Sequence, residues 1–136
     1  MTSTLLQRQA ATQATLDRYR KKKFDWKKRA TCVHLVRFHL RKMGYKPPTV
    51  PEMRSLLAAK KALKVRGWEN VGDMMDSLLP EIPTASMMLG DIAMLQDADG
   101  IGALVIDVGG KVMGWHDDES GLVVMDALKI EKAWRV

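Results

Sequence analysis

Cysteine is almost absent from this chain. Cys32 is the only one in 136 residues, so no disulfide can form within it. No paired Cys/His spacing of the kind that holds zinc accompanies it, and neither a structural metal nor a cofactor is expected. No apolar run approaches the roughly 20 residues of a membrane span, and the opening MTSTLLQRQAATQ lacks the apolar centre of a secretory signal. The expectation is a soluble chain made in the cytoplasm, with no membrane partner. Also missing are a Gly-x-Ser-x-Gly elbow, a phosphate loop and a dinucleotide fingerprint, so serine-hydrolase and nucleotide chemistry are not suggested and no small-molecule substrate is expected.

Acids are scarce in one half and bases in the other. Residues 1–66 hold 18 Lys/Arg against only Asp17, Asp25 and Glu52, whereas residues 67–136 hold four bases against 13 acids. A basic half can mean nucleic acid, but such sites interleave aromatics with the charge or form a recognisable module. Neither is found, so nucleic acid is not the expected partner. Much of the charge reads as solvated helix surface, and the asymmetry suits stacking against complementary neighbours in an assembly.

What is present centres on Phe24 to Gly44. From Ala30 onward Val33, Val36, Leu40 and Met43 recur at steps of three or four, one apolar helix face, and Gly44 is a stop signal. Cys32 then falls in the first helical turn. Free N–H groups, the helix dipole and the run Lys27-Lys28-Arg29 would favour a thiolate there. The commoner role of a free cysteine beside an apolar face is a small packed hydrophobe. Phe24 and Trp26 read as aromatic anchors that fix the helix entry.

Along the chain, Thr4–Arg20 reads as an amphipathic helix with Leu5, Leu6, Leu16 and Tyr19 as apolar points. Tyr45-Lys46-Pro47-Pro48 is an extended connector. Thr49 with Glu52, and Pro51 in the first turn, predicts a capping box for a helix reaching Arg66, with Met53, Leu56, Leu57 and Leu63 buried. A shorter helix follows near Asn70–Leu79, with Asp73 and Asp76 as surface charges and methionines 74, 75, 87 and 88 as core filler. Asp91–Leu95, Ala103–Val108, Lys111–Trp115 and Leu122–Met125 predict an antiparallel meander with a hairpin turn at Gly109-Gly110. A last short helix from Asp126 and an edge strand at Ala133–Val136 complete the reading. The class is α+β, helices first and a small antiparallel sheet second, in a single domain 1–136: extension 1–23, helical half 24–83, sheet half 84–136.

These residues carry a resemblance. A cysteine helix, a helical middle and a Gly-Asp dipeptide opening a small sheet, here Gly90-Asp91-Ile92-Ala93-Met94-Leu95, resemble the NlpC-type, papain-like cell-wall peptidases. More closely, the chain resembles small proteins of bacteriophage and prophage tail modules that share that fold. The similarity runs from about Leu16 to the end, through Phe24-Asp25-Trp26 ahead of Cys32, Gly90-Asp91, Gly121-Leu122-Val123-Val124 and Ala133-Trp134-Arg135-Val136. It implies a tail component that resides in the virion, at the tail tip. Its implied partners are tail-tip and hub proteins, met through the basic half or through Trp115 and Trp134.

The sequence departs from the peptidase pattern. The aspartate usual before the cysteine is Thr31, and Gly100-Ile101-Gly102-Ala103, which corresponds to the histidine stretch, contains no histidine. A thiol nucleophile needs a base within hydrogen-bond reach. His34 points to another side of the helix and His39 lies roughly 10 Å along it, so both read as partly exposed helix residues. That leaves His116, beside Asp117 and Asp118. The resemblance therefore implies a degenerate site of Cys32 and His116 on a structural protein. The alternative is an active cysteine amidase or endopeptidase of peptidoglycan.

Overall fold

A computed structural model describes residues 4–115, 121–127 and 129–136. Among these residues four α-helices precede and flank a sheet: α1 (Leu5–Tyr19), α2 (Cys32–Lys42), α3 (Leu56–Val65) and α4 (Val71–Asp76), then β1 (Glu81–Ile82), β2 (Ile92–Leu95), β3 (Ala103–Asp107), β4 (Val112–Gly114), β5 (Val123–Met125) and β6 (Ile130–Trp134). The architecture is α+β.

Local chemistry sets most of the element ends. Thr4, Thr31, Ser55 and Asn70 each stand in extended backbone and accept an N–H of the following turn, capping α1 to α4 in order. The helix expected from Thr49 starts instead at Leu56. Pro47, Pro48 and Pro51 supply no N–H and bias the residues before them away from helical backbone, so the chain stays extended until Ser55 can cap. Met53 is buried in that extended stretch, while Leu57 on α3 faces solvent. On α1 the expected apolar points Leu5 and Leu6 are exposed. Its buried face is Arg8, Ala11, Thr12, Thr15 and Tyr19. Polar residues are tolerated there because Thr12 and Thr15 donate to carbonyls one turn back in α1, while Arg8 and the Thr15–His39 pair reach the rest of the molecule.

The sheet is antiparallel throughout, in the order β1-β6-β2-β3-β4-β5. Strands β2 to β5 form the expected meander, and β3 turns into β4 through Gly109-Gly110, both at positive φ. The terminal segment differs from expectation. Ile130–Trp134 is a strand inserted between β1 and β2, with β1 at the edge. No helix starts at Asp126 among the described residues, since the chain needs that length to return along β2.

One sheet face packs Ile92, Met94, Leu104, Ile106, Met113 and Trp134 against Leu35, Val36 and Leu40 of α2. The other buries the small set Ala93, Val105, Val112 and Ala133 under Met87, Met125 and Ile130. Of the four methionines expected as core, Met75 is fully buried and Met88 is exposed. Helix α2 is thereby pressed between α1 and β3, which places its first turn against the start of that strand.

Candidate functional site

Cys32 is the first residue of α2, directly after the cap Thr31. Its residue is half-buried, but the sulfur is ringed by protein. Burial pushes the thiol up to about 11, and the charge of Asp97 adds to the rise; the backbone N–H groups of Leu104, Cys32 and Val33 oppose it without reversing it. The N–H groups expected at the helix start do lower it, the Lys27-Lys28-Arg29 run is not among the causes of the shift, and desolvation outweighs the N–H groups. Cys32 is a neutral thiol near neutral pH.

No histidine stands at the start of β3. Gly102 precedes the strand with φ +85°, and a Cβ built on it would lie 2.5 Å from Met94 Sδ and 3.2 Å from Val71 Cγ2. The position is closed by side chains and by a backbone conformation that favours glycine. The described histidines both lie on α2, and neither is partly exposed as expected. His34 pairs through Nδ1 with Thr31 Oγ1 at 2.8 Å, and burial, with Arg29 and Arg37 beside it, lowers its pKa to about 4. His39 is fully buried between Thr15 Oγ1, 3.2 Å from Nδ1, and the Gly90 carbonyl, 2.8 Å from Nε2; burial lowers its pKa as well. Neither is hydrogen-bonded to the sulfur. His116 lies outside the described residues.

The Gly-Asp dipeptide has structural work. Gly90 adopts φ +90° and offers its carbonyl to His39. Asp91, fully buried, accepts from Arg8 at 3.1 Å, from the Val136 N–H at 3.0 Å and from the Met88 N–H at 3.0 Å, and Arg135 stands 3.3 Å away. Arg8 also donates to the carbonyls of Leu89 and Val136. This clasp ties α1 to the end of β6, and sequence periodicity gave no sign of it.

Phe24, Trp26, Tyr19 and Trp115 make an edge-to-face chain, with Phe24 centred 5.1 Å from Trp26 and 5.8 Å from Trp115. Trp115 Nε1 donates to the Lys22 carbonyl at 2.8 Å. Trp134 is fully buried and donates to Asp76 at 2.9 Å, so it leaves no surface for a partner, and Asp76 is more than a solvated charge. Beside Cys32, between α2, the Pro47–Pro51 stretch and α3, lies a cavity of about 130 Å³.

A family model described as a domain of unknown function, DUF6950, matches residues 4–136. The chain belongs to the DUF6950 family. No curated protein matches it. Among solved structures, the crystal structure of the NlpC/p60 domain of the peptidoglycan hydrolase SagA is similar, with a TM-score of 0.61 at 16% identity over 94% of this chain and 98% of that one. At that identity the likeness speaks for the fold alone. This DUF6950 chain therefore has an NlpC-like fold, with the thiol on the first turn of α2 and a glycine ahead of β3.

Proposed function

We propose that this chain is a structural component of a bacteriophage tail, at the tail tip, in which a cell-wall-hydrolase fold serves as a docking module and hydrolyses nothing. The observation that carries the non-hydrolytic part is the pairing of a neutral, buried Cys32 with a Met94-filled space at Gly102. A nucleophilic thiol needs a base that can reach it. The tail assignment draws on the resemblance to tail-module proteins and on the opposed charges of the two halves, which suit ordered stacking with tail-tip and hub proteins. Quantitative mass spectrometry of purified particles tests it. A small fixed number of copies per particle, measured against a tail protein of known symmetry, is expected; absence from particles contradicts the assignment.

One observation favours a cysteine hydrolase instead. The Cys32 sulfur lies at a helix start among the N–H groups of Leu104, Cys32 and Val33, a setting that would stabilise an anion. In that reading Cys32 is the nucleophile and His116 the base. It demands a thiol that alkylates rapidly near pH 6.

A further inference from the structure

The cavity beside Cys32 is lined almost wholly by apolar groups, among them Trp26, Val36, Leu63, Trp68 and Met74. Its volume of about 130 Å³ is of the order of the volume, about 150 Å³, that accommodates a benzene ring in an enclosed apolar cavity, and here the space opens to solvent. Two charged side chains share the lining, Arg37 and Arg66, and no acid does. Arg37 Nε donates to the Pro48 carbonyl and Arg66 donates to the Ala62 carbonyl. Both bonds are solvent-exposed, with Arg37 half-buried and Arg66 exposed, so the two guanidinium groups stand on the solvent side of the cavity, and neither has an acidic partner among the described residues. Asp97, whose charge reaches the sulfur, is engaged by the N–H groups of Gly100 and Gly102. Asp97 is not part of the lining, so the only charged side chains that line the cavity are positive.

We propose that this cavity binds a small free monocarboxylic acid, one ring or a chain of about six carbons filling the apolar space, with its carboxylate held by Arg37 or Arg66. Apolar burial supplies the affinity and the guanidinium selects the charge. The site is independent of the tail assignment and of any hydrolysis, because it needs neither a thiolate nor a base.

Trp26 and Trp68 line the cavity, so tryptophan fluorescence of the full chain reports its occupancy. Titration with phenylacetate near neutral pH is expected to give a saturable change and a raised melting temperature. The uncharged counterpart phenylacetamide binds about tenfold or more weakly. Arg37→Gln and Arg66→Gln are made singly and together; the double variant loses the same factor for the acid and leaves the amide unchanged. Ala62→Phe fills the space from α3, keeps its circular dichroism and abolishes binding. Equal binding of acid and amide, no saturable binding, or retained binding in a folded Ala62→Phe overturns the proposal. Binding of a peptide ending in phenylalanine without binding of phenylacetate also overturns it, in favour of a chain terminus as occupant.

Discussion

Cys32 and His34 stand two residues apart at the start of α2, and burial holds both uncharged. For Cys32 the neutral thiol is favoured in the fold, so its share of stability is complete below the ordinary value of 9.0 and is lost as pH rises through about 11. Two units leave about a hundredfold less thiolate at neutral pH than a free cysteine has, and iodoacetamide should modify Cys32 correspondingly slowly. A rate that levels off near pH 6 would contradict this. His34 runs the other way. Its folded pKa of about 4 lies below the ordinary 6.5, so its contribution is complete above 6.5 and drains as pH falls toward 4, where the unfolded chain binds the proton first. The full effect is on the order of 3 kcal/mol. Urea unfolding at pH 7 and pH 4.5 should show a smaller loss in His34→Gln than in the parent. The helix start at Cys32 was legible in the sequence because caps and apolar spacing are local signals. The state of the thiol and of both histidines was not, because it depends on β3 and α1 closing over α2 from opposite sides.

At the scale of elements, Thr31 does two things at once. Its hydroxyl accepts the His34 N–H, capping α2, and pairs with His34 Nδ1. Thr31→Ala should lower stability by about 1–2 kcal/mol, while Thr31→Ser, which keeps the hydroxyl, should lose less than half of that; equilibrium denaturation separates the two. Elements with strong local signals were readable: the four-strand meander, its Gly109-Gly110 turn and the α2 stop at Gly44. The α3 start is hidden because Thr49 and Glu52 imitate a capping box, whereas three prolines keep that stretch extended up to the Ser55 cap. Strand β6 lies where local signals predict a helix followed by an edge strand. Its neighbours β1 and β2 are distant in sequence, and nothing local announces that it will lie between them.

Across the whole molecule, one buried and one part-buried polar link join distant parts of the chain. Arg8 and Asp91 bind α1 to the turn before β2 and to the end of β6, and Asp76 on α4 receives the Trp134 indole N–H. Trp134 has no exposed surface and packs with Ile92 and Ile106 in the main core. Trp134→Ala should therefore cost about 3–5 kcal/mol, read as a large fall in melting temperature. An unchanged melting temperature would show that the β6 end does not anchor the fold. The α+β class could be read from the order of helical and alternating segments. The clasp could not, since it is made of an arginine and an aspartate that periodicity assigns to the surface.

The most direct test is digestion of purified peptidoglycan by the wild-type chain and by Cys32→Ala, followed by release of soluble fragments. The account predicts no release above background from either protein. Release by the wild-type chain that disappears in Cys32→Ala would contradict it and establish the hydrolase.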